Sequence, residues 1–172
     1  MSELRDIYDK NRMKTGKIKK REDTLLEDEF YIASYVCLFN VNGEMLIQKR
    51  HSDKKWCPNI WDFSVGGCSI AGETSQQTAE REMMEEIGYK RNLTDAKPNF
   101  SVSIAHGFFD FYLLNENIKI DCLNLQYNEV EQVKWASEDE IFELLDKKEF
   151  VPHEINLIEQ CFRVKHADNA DK

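Results

Sequence analysis

The sequence predicts a mixed α/β domain, and three stretches carry that expectation. Tyr31 to Phe39 reads YIASYVCLF, an apolar and β-branched run that suits a strand buried on both faces; after Asn42-Gly43, Met45 to Gln48 returns as its hairpin partner. Thr74 followed by Gln77 is a capping box and Gly88 a left-handed stop, so a helix of about three to four turns lies between them. Ser137 to Glu140 is a second capping box, opening a helix that runs to about Asp146. At 172 residues the chain is long enough for one domain with a substantial core and does not require two.

In chain order, residues 1–29 form a heavily charged extension packed on the domain. Lys14-Thr15-Gly16-Lys17 reads as the turn of a small hairpin, and the basic run Lys17, Lys19, Lys20 and Arg21 reads as a solvated edge. After the first two core strands come Lys49-Arg50-His51 and Lys54-Lys55-Trp56, a basic cluster in an otherwise acidic chain. Trp56 and Trp61 either shape a pocket or pack in the core. Asn59 to Val65 reads as a short strand that delivers Gly66-Gly67 to a loop, where paired glycines allow a tight turn and close approach to a ligand.

On the helix that follows, Glu82, Glu85 and Glu86 share an arc of about 100°, with Met83, Met84 and Ile87 opposite. Arg81 can reach Glu85, but no Lys or Arg stands three or four residues from Glu82. Such a face suits a hard divalent cation with oxygen ligands; an arbitrary E-x-x-E-E is more often a solvated acidic stripe.

Lys90 to Asn99 is a polar loop, Ser101 to Ala105 and Gly107 to Leu114 are strands, and Ile118 to Leu125 alternates with Ile118, Ile120, Cys122 or Leu123, and Leu125 inward. Asn128 to Trp135 is a further strand. Pro152 fits the first position of a final helix whose buried stripe is Ile155, Ile158, Cys161 and Phe162. A single domain therefore spans 30–165, and 166–172 is a frayed tail.

Composition narrows the partners. The net charge of -9 and pI near 5.0 argue against broad nucleic-acid or anionic-membrane binding. There is no apolar run of membrane-spanning length and no signal-peptide h-region, so a soluble, cytoplasmic protein is expected. The five cysteines lack a C-x-x-C pair and are expected to be mostly reduced; Cys68 stands out beside Gly67.

Gly67 to Tyr89 resembles the Nudix box, G-x5-E-x7-R-E-U-x-E-E-x-G-U with U a bulky apolar residue. Gly67, Glu73, Arg81, Glu82, Met83, Glu85, Glu86 and Gly88 fill its positions, with Tyr89 the loosest match. The resemblance implies an α/β/α sandwich with a mixed β-sheet between the box helix and the C-terminal helices. It also implies a magnesium-dependent enzyme, manganese substituting, that cleaves the diphosphate linkage of a small molecule. On that reading Glu82, Glu85 and Glu86 hold metal with the Gly67 carbonyl, and Glu82 or a neighbouring carboxylate is the general base. Arg81 and Glu73 pair to hold the helix on its loop. Many such proteins add an acidic ligand from outside the box, for which Glu129 leads and Glu131 follows. Arg50, Lys54 and Lys55 then grip phosphate groups, or form a solvated loop. Homodimers are common among such proteins.

The order Phe39-Asn40, Gly43, Leu46, Arg50, Lys54, Trp56, Trp61, Ser64-Val65 and Asn128-Glu129-Val130 resembles the Nudix branch that contains type I isopentenyl diphosphate isomerase. Alkene isomerisation is therefore a rival chemistry. The isomerase's catalytic cysteine position is Gly66 here, one metal-binding histidine position is Cys68, and another is Tyr31. These departures favour hydrolysis of a nucleoside diphosphate derivative or related small diphosphate. A catalytically silent nucleotide-binding module is a third reading, against which the intact box speaks.

Overall fold

The computed structural model describes residues 3–153 and 155–170, side chains excepted for 166–170. Two strands precede the domain: β1 (Leu4–Tyr8) and β2 (Lys14–Lys20) pair antiparallel. Their turn is not at Lys14–Lys17. The Asp9 carboxylate accepts the N–H groups of Asn11 and Met13 at 2.9 Å and closes the turn there, and Gly16, at φ 81°, lies in β2 where the register shifts. A side-chain acceptor did the work expected of glycine, and the glycine served a bulge.

The central strand β3 (Tyr31–Phe39) runs parallel along its whole length to the strand Gly107–Asn115. Around it are β4 (Met45–Arg50), β5 (Trp61–Asp62), β6 (Val65–Cys68), β7 (Phe100–Ile104), β8 (Gly107–Asn115) and β9 (Val130–Ala136), all in one mixed seven-stranded sheet. β3 and β4 are joined by the Asn42-Gly43 turn but pair only at Phe39 and Met45. Below that point they diverge: β6 pairs β3, while β5 and β9 flank β4. The opening between the diverging strands holds the site.

Helix α1 (Ser75–Ile87) has the Thr74–Gln77 capping box and ends at Gly88, φ 66°. It packs Ala79, Met83 and Ile87 on one sheet face with Val36, Leu38, Leu46 and Val65. Helices α2 (Glu138–Asp146) and α3 (Ile155–Ala170) cover the other face through Ile141, Leu144, Ile158, Cys161 and Phe162. The chain is thus an α/β/α sandwich. Among the described residues no helix is long and apolar enough to cross a membrane.

Several local expectations are corrected. Gly66 and Gly67 lie inside β6, paired with Tyr35 and Ser34, and not in a loop. The alternating stretch from Ile118 is a 3-10 turn at Ile120–Cys122 flanked by loop; its apolar residues still pack toward α1. Met84 and Ile155 are exposed, because each lies at the edge of its helix's apolar arc. Pro152 stands ahead of α3, which begins at Ile155, and Glu154 between them lies outside the described residues. The backbone of 166–170, expected as a frayed tail, continues α3, and 171–172 lie outside the described residues.

Candidate active site

Two connected cavities occupy the opening in the sheet. A polar pocket of about 150 Å³ is lined by Glu82, Glu85, Glu86, Glu129, Gly67 and Lys54, and Glu3 and Arg21 reach it from the hairpin. An aromatic cleft of about 490 Å³ shares Gly66, Gly67 and Arg21 with that pocket, then extends past Tyr35, Trp56 and Phe109.

The polar pocket is organised by Arg81. Its Nε donates to Glu73 Oε1 at 2.8 Å, Nη2 to the Cys68 carbonyl at 3.2 Å, and Nη1 to Glu82 Oε1 and Glu85 Oε2, both at 2.9 Å. Glu82 is therefore compensated by its immediate neighbour, which helical i,i+4 spacing does not suggest. Burial opposes ionisation of Glu73, yet hydrogen bonds from Arg81, Thr78 and the Ile70 N–H hold its pKa below the ordinary value. Glu73 and Arg81 together tie α1 to the loop that leads into it.

Glu86 is almost fully buried. Its Oε2 accepts from Gln48 Nε2 at 3.0 Å and from the Gly66 N–H at 3.2 Å. Burial, and then the Glu82 charge, push its pKa up to about 8. Burial also raises Glu82, with Arg81 opposing. Crowded, desolvated carboxylates of this kind are what a divalent cation relieves.

The donor chemistry fits a hard cation. Every acidic group here offers oxygen, and among the described residues the Gln48 carbonyl oxygen, on the amide that donates to Glu86, is buried without a hydrogen-bond partner. A Cβ on Gly67 would overlap the Glu82 carboxylate, so only glycine leaves room at that point. Among the described residues no three carboxylates yet converge as a ligand cluster; Arg81 draws two of them and Gln48 a third.

Of the basic cluster, only Lys54 reaches the polar pocket, where it pairs with Glu129. Arg50 is not brought there. It donates to the carbonyls of Trp56 and Cys57 and to Asp62, and so fixes the loop that bears Trp56. Lys55 lines neither cavity. Glu131 pairs with Lys49 away from the pocket. The basic run is largely exposed along β2 as expected, but it is not idle: Lys17 and Lys19 pair with buried Glu29, and Arg21, just past β2, lines both cavities.

Sequence reasoning missed Glu3, Arg21, Gln48, Asp62 and His153. Gln48 and Asp62 left a trace, since each polar side chain stands directly against apolar neighbours, Met45-Leu46-Ile47 before Gln48 and Trp61 and Phe63 around Asp62. Glu3 and Arg21 left none, because hairpin docking decides where they point.

A Cβ on Gly66 would lie 2.6 Å from the Tyr35 ring, so the space beside β6 is filled by tyrosine. The NUDIX domain model matches residues 30–161. A Nudix hydrolase of Listeria monocytogenes, itself uncharacterized, is 37% identical over 162 residues, 94% of this chain and 95% of that one. The chain belongs to the Nudix family. A crystal structure from Deinococcus radiodurans superposes with a TM-score of 0.77 at 24% identity, over 92% of this chain and 99% of that one, and so has the same fold. An isopentenyl-diphosphate delta-isomerase of Salmonella heidelberg is 30% identical over 96 residues, 55% of this chain and 53% of that enzyme. The Nudix helix of this chain is α1, and the Nudix loop before it is pinned by the hairpin: the Ala71 N–H donates to the Leu4 carbonyl at 2.7 Å and the Gly72 N–H to Asp6 at 2.9 Å.

Proposed function

We propose that this Nudix hydrolase is a magnesium-dependent pyrophosphohydrolase acting on a nucleoside diphosphate derivative or a related small diphosphate. The observation that carries the reading is the single polar pocket in which α1 places Glu82, Glu85 and Glu86 against Gly67, with Glu129 facing them from the start of β9. These residues would hold magnesium, or manganese, which when bound offsets phosphate charge and lowers the pKa of a bound water. Glu82 is the leading base, being partly exposed to the pocket and held in place by Arg81. Glu86, whose ionisation burial opposes until a cation lies beside it, is a ligand by this reading. Lys54 binds phosphate once a cation competes for Glu129.

Isomerisation is disfavoured on two counts. The cysteine position is Gly66, and the Tyr35 ring fills the space a side chain would need. Burial raises the pKa of the nearby Cys68 thiol, so it is not an activated thiolate.

The test is incubation with magnesium and chromatographic separation of the products from nucleoside diphosphate sugars, dinucleotides, nucleoside triphosphates and isopentenyl diphosphate, reading the two phosphorylated fragments that cleavage of a diphosphate linkage leaves. Metal-dependent cleavage of at least one is expected, with a loss on the order of a hundredfold or more in Glu86→Gln. Near-normal turnover by that variant removes Glu86 from the site. Exchange of isopentenyl diphosphate isomers without cleavage replaces hydrolysis altogether.

A further inference from the structure

The wall of the aromatic cleft carries a polar pair that the hydrolytic residues do not explain. Asp62 is buried in β5, where its Oδ1 accepts from His153 Nε2 at 2.9 Å and from the Phe63 N–H at 2.9 Å, and its Oδ2 from Arg50 at 3.2 Å. A carboxylate only accepts, so Nε2 must carry the proton. In the neutral form of such a ring the lone pair is on Nδ1. Among the described residues nothing hydrogen-bonds Nδ1, and it is not sealed from solvent, since the imidazole lines the cleft. The ring cannot turn freely: its centroid lies 4.6 Å from Phe63 and 5.9 Å from Tyr35. A ring fixed in this way, with Nδ1 unused among the described residues, therefore lines a space walled by Tyr35, Trp56 and Phe109.

We infer that the Asp62–His153 pair is the recognition element of this cleft, reading an N–H donor on a flat aromatic ring held among Tyr35, Trp56 and Phe109, as a nucleobase supplies. This deepens the proposed hydrolytic function and rests on it for the placement of the diphosphate at the neighbouring polar pocket. Aromatic side chains give stacking area to any ring. The imidazole acceptor adds direction, because a hydrocarbon chain in the same space would desolvate Nδ1 and return no hydrogen bond. The same argument sets a nucleobase diphosphate above a prenyl diphosphate. Arg50, in turn, is a positioning residue: it holds Asp62 from one side and, stacked 5.1 Å from the Trp56 ring, sets the opposite wall.

The test is calorimetric titration of the full chain, without added metal, using adenosine and uridine 5′-monophosphates. Each is run beside an analogue whose base N–H groups are methylated: N6,N6-dimethyladenosine and 3-methyluridine monophosphate. Methylation is expected to weaken the tighter of the two nucleotides by about tenfold or more in the wild type. In His153→Phe, which keeps a ring against Phe63, most of that penalty should vanish. If neither nucleotide binds, or methylation costs nothing in the wild type, the inference is overturned, whether or not the variant folds. An equal penalty in a folded His153→Phe also overturns it, since bulk alone then explains the effect. Methylation-sensitive binding without any diphosphate cleavage keeps the recognition pair and removes the hydrolytic reading; cleavage without methylation sensitivity does the reverse.

Discussion

Gly66 shows how one missing side chain constrains the chemistry. It has ordinary extended backbone within β6, so conformational freedom is not its reason; the Tyr35 ring lies where a Cβ would go. Gly66→Cys should therefore cost about 1–3 kcal/mol by overpacking and should yield no isomerase activity. Thermal unfolding and an isomer-exchange assay check both, and a stable, isomerising variant would sink the steric argument. Gly67 works in the same way against Glu82. At this scale the box itself was legible, because its spacing encodes a helix face and a capped start. The pairing of Arg81 with Glu82 was not, since sequence spacing says nothing about a side chain curling along its own turn. Polar Gln48 in an apolar run hinted at a buried partner, and that partner is Glu86.

The N-terminal hairpin acts as a unit on the Nudix loop. Its carbonyl and carboxylate acceptors hold the Ala71 and Gly72 N–H groups, and its own base is secured by Glu29, which is buried against Lys17, Lys19 and the Leu26 N–H. That Leu26 N–H, followed by the Lys19 bond, lowers the Glu29 pKa from 4.5 to about 2. A carboxylate whose folded pKa is depressed stabilises the fold above its unfolded pKa and loses that contribution on acidification. The Glu29 contribution should thus be complete above pH 4.5 and fade as pH falls toward 2. The melting temperature of wild type should exceed that of Glu29→Gln near neutral pH, and the gap should close across that window; a constant gap would mean the ion pairs do not matter. Core strands and capped helices were legible as elements because periodicity and caps are local. The hairpin turn was misplaced because Asp9 and Gly16 exchanged the roles that composition suggested.

For the whole molecule, the decisive feature is the splaying of β3 from β4 below a single bridge, Phe39 to Met45. It opens the sheet, admits β6, and sets the acidic face of α1 beside an aromatic cleft. If the polar pocket holds a cation in the native state alone, magnesium should raise the melting temperature. The gain should approach about 2.7 kcal/mol at about a hundred times the dissociation constant and should be largely lost in Glu86→Gln. Differential scanning calorimetry with and without a chelator decides this, and equal curves would remove the cation from the pocket. The sequence by itself determined the mixed α/β class, the box helix with its caps, and the acidic face, because each follows from short-range spacing along one element, whereas the sandwich was implied only by the family resemblance. Only the tertiary structure decided that Glu3 and Arg21 reach the pocket, that Arg50 serves a loop, that Glu131 stands apart from Glu129, and that Asp62 meets His153. The Glu3–Arg21 and Asp62–His153 pairings join residues 18 and 91 positions apart, and strand divergence and hairpin docking, which no local pattern encodes, bring them together.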